Sequence, residues 1–171
     1  MRIISLLLLA SFLFVTACDF KDAVPEDTAK DDMLVTDDED FLAMMIPHHE
    51  EAIKSSEAIV AKSTNTELKE FAQKVINAQT TEVESMKGWA TTWFQGVDTE
   101  DYESMMPELS MLSGDELDQA YIEAMIDHHQ EAVDFAQDIK KYSNRKEILG
   151  LADSIISTQS AEIDTLESMK N

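Results

Sequence analysis

The sequence predicts an all-α protein, a four-helix bundle assembled from two repeats of one αα-hairpin. Three observations predict it. The 171 residues include only four Gly and three Pro, and Ala, Leu, Glu, Lys, Gln and Met, which lose little rotamer freedom in a helix, are abundant. A shift of 80 residues lays the chain on itself without a gap. Apolar residues recur at three- and four-residue steps, and the period-two alternation of a half-buried strand is absent. The length suits one domain with a real core and is short for two.

The first element is not part of the bundle. Arg2 supplies a positive charge, Ile3 to Val15 is an apolar run, and small residues precede the single cysteine in Val15-Thr16-Ala17-Cys18. This resembles the lipobox of bacterial lipoproteins. The resemblance implies cleavage before Cys18, lipid on that cysteine, and residues 1–17 as a signal peptide. An uncleaved anchor is the weaker alternative, since the apolar run is short for a bilayer. Asp19 resembles the inner-membrane retention signal of Gram-negative lipoproteins. Residues 18–37 are acidic, hold one Pro and lack a sustained apolar period, so they read as a tether, with the helical domain over 38–171.

The repeat places the helices. Residues 38–59, DEDFLAMMIPHHEEAIKSSEAI, lie over 118–139, DQAYIEAMIDHHQEAVDFAQDI, with eight of 22 positions identical. Residues 65–86 lie over 145–166 at the same shift. In the first copy Phe41, Met45, His48, Ala52 and Ile59 share one helical face, as do Leu68, Ala72, Val75, Gln79 and Met86. Ser63-Thr64-Asn65-Thr66 offers N-caps for the second helix, and Ser143-Asn144 for the fourth. Pro47 either kinks the first helix, the favoured reading, or lies in the first turn of a later-starting one. Trp89, Trp93 and Phe94 extend the second helix and cap one end of the core. The rest of the linker, up to residue 114, is long enough to cross the bundle, so up-down-up-down and crossover connectivities both remain open.

Polar residues interrupt the apolar stripes. Gln79 and Glu82, with Gln159 and Glu162, stand where hydrophobes belong, and the first and third helices are interrupted by His48-His49 and His128-His129. Buried polar groups are costly unless partnered, so these must satisfy one another or bind something. His48 precedes the hairpin turn by about 15 residues and Gln79 follows it by about as many, which makes them level across the hairpin. Consecutive residues differ by about 100° around a helix, so one histidine of each pair aims inward, His48 and His128, and the other lies at the flank. Level hairpins merge the two clusters, whereas inverted ones separate them by about 10 Å.

The donor types select a metal class. Met45 lies one turn before His48, and Met125 one turn before His128. Thioether with imidazole is a soft-to-borderline set suited to copper, Cu(I) above all. Zinc is the second choice, through His48, His128, Glu82 and Glu162. The competing reading makes His48 with Gln79, and His128 with Gln159, hydrogen-bonded core pairs that set helix register.

Met45-Ile46-Pro47-His48-His49-Glu50-Glu51-Ala52-Ile53 and Met125-Ile126-Asp127-His128-His129-Gln130-Glu131-Ala132-Val133 resemble the twin signature of domain-of-unknown-function family 305. Gln79-x-x-Glu82 and Gln159-x-x-Glu162 resemble its second-helix motif, and the likeness spans 38–170. The resemblance implies a ferritin-like four-helix bundle. Some periplasmic members bind copper, which points to Met45, His48, His49, Met125, His128 and His129 as ligands, with Gln79, Glu82, Gln159 and Glu162 behind them or as alternatives. Ser55 and Phe135 stand where the family has methionine after each His pair.

A formal charge of −22, from 35 acidic and 13 basic side chains, excludes nucleic acid as a partner and favours cations near the surface. The leading expectation is a non-catalytic, lipid-anchored copper-binding protein of the bacterial cell envelope, facing the periplasm or the exterior. The alternatives are a helical scaffold that recruits a basic protein partner and, last, a metal-dependent oxidoreductase. Neither a Gly-rich phosphate loop nor a Glu-x-x-His pair is visible in the sequence. In a bacterial host, mass spectrometry of the membrane fraction should find the mature chain starting at an acylated Cys18. Cys18→Ser should abolish both the cleavage and the lipid.

Overall fold

The computed structural model describes residues 35–100 and 102–170. The predicted signal peptide, Cys18 and all but the last residues of the tether lie outside them. Four helices follow in order, α1 Asp38–Lys62, α2 Thr66–Phe94, α3 Gly114–Tyr142 and α4 Lys146–Met169. No strand occurs among the described residues.

Local chemistry sets the helix ends. Extended Asp37 accepts hydrogen bonds from the amides of Glu39 and Asp40, each 2.9 Å, and Asp38, Glu39 and Asp40 put negative charge at the positive end of the α1 dipole. Val35, just upstream, is buried in the core. α1 continues through Pro47, so the reading in which it starts there is excluded. The missing proline N–H leaves the Ala43 carbonyl without its intrahelical partner. Gln95, in the left-handed region at φ 64°, ends α2, and the Gly96 amide returns to the Ala90 carbonyl at 3.1 Å.

The two hairpin turns match. The Ser63 and Ser143 amides close α1 and α3 on the carbonyls of Ile59 and Ile139 at 2.9 and 2.8 Å. Their hydroxyls accept from the amides of Asn65 and Arg145 at 3.0 and 3.1 Å. The caps then diverge. Asn65 caps α2 by accepting from the Leu68 amide at 3.2 Å, as expected, whereas α4 starts after Arg145 with no side-chain cap. Asn144 falls one position short of the Asn65 equivalent and does not serve. Arg145 instead ties the hairpins together, through a 2.9 Å ion pair with Asp38 and a guanidinium 4.2 Å from the centre of the Trp93 ring. Trp89 and Trp93 stack at 5.6 Å against this end of the core, where the sequence puts them.

α1 packs on α2, α3 on α4, and the hairpins meet along α1 and α3. Those two helices are antiparallel: Ser56 meets Tyr121 at 2.8 Å, while Arg145, just past α3, reaches Asp38 at the start of α1. The order is therefore up, down, down, up, and the α2–α3 linker crosses the length of the bundle. It runs along α1 from Glu51 to Lys62, whose ammonium donates to the carbonyls of Leu109 and Ser110 at 3.4 and 2.7 Å. This crossover settles the connectivity that the sequence left open.

The apolar core is two clusters. One gathers Phe41, Met45, Met86, Phe135, Ile139 and Ile148. The other gathers Ile59, Leu68, Tyr121, Ile122, Met125 and Leu166. Between them lies a polar layer, where His48, His49, Gln79, His128, His129 and Gln159 are all buried. Tyr121→Phe should cost about 1 to 2 kcal/mol, because it leaves the buried Ser56 hydroxyl without its partner across the hairpins. Adding Ser56→Ala should recover most of that loss in urea unfolding with an unchanged m-value.

Candidate metal centre

The centre is built where α1 crosses α3. His48 and His128, both 0 % exposed, face each other with ring centroids 3.6 Å apart and planes tilted by 35°. Burial first, and then repulsion by the neighbouring imidazoles, holds His48 well below the ordinary 6.5. For His128 burial likewise dominates and lowers it, with Glu51 pulling the other way. Both rings are neutral at pH 7 and keep an unprotonated nitrogen.

Each ring approaches a carboxylate from the opposite repeat. His48 Nε2 is 3.3 Å from Glu131 Oε2, and His128 Nε2 is 3.4 Å from Glu51 Oε2. The second histidine of each pair turns into its own hairpin. His49 Nε2 lies 2.9 Å from Glu82, and His129 Nε2 lies 3.0 Å from Glu162. Four imidazoles and four carboxylates thus form one layer, related by an approximate two-fold axis across the helices.

Four sequence expectations are corrected here. The second histidines do not lie at the flank; all four are wholly buried, because α1 and α3 are each covered on two faces, by the hairpin partner and by each other. The carboxylates beside His48 and His128 are Glu131 and Glu51, not Glu82 and Glu162. The register pairs His48 with Gln79 and His128 with Gln159 are not made. Both amide atoms of Gln79 and the Gln159 oxygen lack a hydrogen-bond partner among the described residues. Level along the axis is a weaker condition than facing direction, and one residue turns a side chain by about 100°. Finally, inverted hairpins do not separate the clusters, because His128 is the middle residue of α3 and His48 lies two residues from the middle of α1, so antiparallel packing brings them level.

Met45 and Met125 are 0 % exposed and sit in the two apolar clusters on either side of the polar layer. Phe135 sets its ring edge-on to His48, centroids 6.1 Å apart. Ser55, at the matching place on α1, is buried as well.

The linker supplies residues that sequence reasoning missed. Glu51 accepts hydrogen bonds from the Tyr102 hydroxyl at 2.5 Å, the Ser104 hydroxyl, and the amides of Met105 and Met106 at 3.1 and 3.0 Å. Burial works to raise its carboxyl, but His128 and these linker donors outweigh it and hold it at about 2. Burial and the adjacent Glu51 push Tyr102 up. Glu51 and Glu131 had a signal: they are identical in the two repeats and three residues beyond His48 and His128, on the same face. Tyr102 and Ser104 had none, lying in the segment without a repeat counterpart.

Imidazole nitrogens without a hydrogen-bond partner are the feature that fits a metal. Among the described residues they are both nitrogens of His48, of His128 and of His129, and Nδ1 of His49. Buried polar atoms are seldom left so. The carboxylate and imidazole donors meet in twos. No group of three or more His, Cys, Asp and Glu among the described residues stands ready to hold an ion.

A profile of the DUF305 family, a domain of unknown function, matches residues 38–170. The chain belongs to the DUF305 family. Its fold matches that of CopM in the Cu(I)-bound form with a TM-score of 0.73 and 34% identity, covering 79% of this chain and 96% of that one. CopM in the Cu(II)-bound form matches with a TM-score of 0.71 and 33% identity, over 78% and 95%. A DUF305 fragment from Deinococcus radiodurans matches with a TM-score of 0.68 and 25% identity, over 78% and 94%. No curated protein matches the chain in sequence. The ferritin-like bundle expected from the resemblance is the fold of this DUF305 chain.

The lowered groups give a signed pH dependence. With His48 and His128 below the ordinary 6.5, the unfolded chain binds protons first, so stability falls as pH drops through about 6.5. With Glu51 at about 2 against an ordinary 4.5, its contribution is complete above about 4.5 and is lost toward 2. Urea midpoints should therefore fall on acidification from about pH 7 to pH 5, with a flatter slope in His48→Gln/His128→Gln. Glu51→Gln should differ from wild type most above about pH 4.5, with the curves converging below.

Proposed function

We propose that this DUF305 chain is a copper-binding protein of the bacterial cell envelope, tethered by lipid on Cys18 through the acidic segment 18–37, and that it holds metal rather than turning over a substrate. One observation carries the reading: fully buried, neutral imidazoles from both repeats meet at the bundle centre with ring nitrogens that lack a hydrogen-bond partner among the described residues. The copper-bound CopM structures, at 33% and 34% identity, support copper as the metal. The ligands proposed are Met45, His48, His49, Met125, His128 and His129. Thioether and neutral imidazole are a donor set for Cu(I), and copper here is cargo.

Limited access supports binding rather than catalysis. All four imidazoles are 0 % exposed, so a metal held by them offers solvent-borne substrates no open position. No described helix is long and apolar enough to cross a membrane. A scaffold with structural histidines would instead have its imidazole nitrogens hydrogen-bonded.

Competition with a Cu(I) chelator tests the reading. His48→Ala/His128→Ala should weaken Cu(I) binding by more than about 100-fold, beyond the usual loss from an outer-shell residue. Met45→Leu/Met125→Leu should weaken Cu(I) more than Cu(II). Equal Cu(I) binding by wild type and the double histidine variant would end it.

A further inference from the structure

We infer that the four glutamates of the polar layer, Glu51, Glu82, Glu131 and Glu162, are positioning residues rather than ligands: each holds the proton of one buried imidazole on Nε2, so that the bare nitrogen the ring offers a metal is Nδ1. This deepens the copper reading by naming the donor atom. It rests on that reading only for the identity of the metal.

The argument starts from a pattern that all four rings share. The carboxylate lies at Nε2 each time: Glu82 is 2.9 Å from His49, Glu162 is 3.0 Å from His129, Glu131 is 3.3 Å from His48, and Glu51 is 3.4 Å from His128. Nδ1 of all four is buried and has no hydrogen-bond partner among the described residues. A neutral imidazole carries one N–H and one lone pair, and its surroundings decide which nitrogen has which. An ionised carboxylate accepts and cannot donate, so beside it the favoured tautomer is Nε2–H, with the lone pair on Nδ1. His49 and Glu82 meet as a hydrogen bond. For the other three Nε2 atoms the carboxylate is close without hydrogen-bond geometry, and the preference is electrostatic, little screened in a buried layer. The His128 main chain also faces His48, and against that neutral acceptor the charged one is the stronger.

The duplication repeats the device. Glu51 and Glu131, and Glu82 and Glu162, correspond under the shift of 80 residues, so each repeat brings one carboxylate for its own second histidine and one for the first histidine of the other. A proton shared with a carboxylate fixes the ring's orientation and makes the opposite nitrogen a better donor. Glu51 is itself held by Tyr102, Ser104 and the amides of Met105 and Met106, so the linker's grip reaches His128 through it. Carboxylates acting as ligands would converge with the imidazoles in threes or more, whereas among the described residues these donors meet in twos. With the carboxylates kept to Nε2, what is left for a metal is Nδ1 and thioether, a set that favours a soft monovalent ion over zinc.

The test labels the histidine nitrogens of the full chain and reads their proton positions by long-range proton–nitrogen correlation at about pH 8, above the ordinary 6.5. In the metal-free protein all four rings should carry the proton on Nε2 and a lone pair on Nδ1. Ag+, a redox-inert soft ion, should then shift the Nδ1 resonances of the rings that bind it and leave their Nε2 protons in place. Glu82→Leu/Glu162→Leu should move the Nε2 resonances of His49 and His129 in the metal-free chain and weaken Ag+ binding about 10- to 100-fold. Glu82→Gln/Glu162→Gln, which keeps an acceptor oxygen, should recover part of that loss. Met45→Leu/Met125→Leu should weaken Ag+ binding with the metal-free proton positions unchanged, as befits a ligand. Far-ultraviolet circular dichroism identifies any variant that has lost its helices. A proton on Nδ1 in any of the four rings, Ag+ bound through Nε2, or Ag+ affinity within about threefold of wild type in folded Glu82→Leu/Glu162→Leu overturns the inference. Four Nε2–H rings in a protein that binds neither Ag+ nor Cu(I) overturn the copper reading alone.

Discussion

Two imidazoles stacked 3.6 Å apart at a helix crossing cannot both carry charge, and much of this bundle is arranged around keeping them neutral and buried. Burial lowers His48 and His128, and four carboxylates sit in the same layer. The layer divides the core in two, so the bundle is held by an apolar cluster at each end. A polar layer of this kind contributes less to stability than packed leucines would, since desolvation offsets much of what the pairs gain. What it supplies is a set of buried imidazole lone pairs.

The duplication supplies the symmetry and the linker breaks it. His48 and His128, His49 and His129, and the four glutamates correspond under a shift of 80 residues. Glu51 has the crossover segment closed over it through Tyr102, Ser104 and Met106, a segment without a counterpart in the second repeat. The centre thus has a closed side and a more open one. The same economy shows at the hairpin turns, where the first copy spends its position on a helix cap, Asn65, and the second spends it on Arg145, which binds the hairpins to each other.

Sequence reasoning reached the helices and their inward faces because amphipathic period and repeat register are local properties. Phe41, Met45, Ala52, Ile59, Leu68, Ala72, Val75 and Met86 are all buried as their spacing requires. It reached the histidines too, since four of them fall at equivalent places in two copies. Glu82 and Glu162 do meet histidines of their own hairpins, His49 and His129, but His48 and His128 have other partners. Height along a hairpin was counted from the turn, but contacts depend on which way each side chain faces and on a second helix packing from the other side. Glu51 and Glu131 carry a readable signal, identity at one turn beyond each His. Tyr102 and Ser104 carried none.

By itself, then, the sequence determined four helices, two equivalent hairpins, and a polar stripe of His, Gln and Glu inside an apolar one, because each follows from residues a few positions apart or from the repeat. Only the tertiary structure decided that the hairpins are inverted, that the linker crosses the bundle, and that His48 meets His128 with Glu131 and Glu51 beside them. Those are relations between segments some eighty residues apart, set by how two hairpin faces fit together, and no local period encodes that fit.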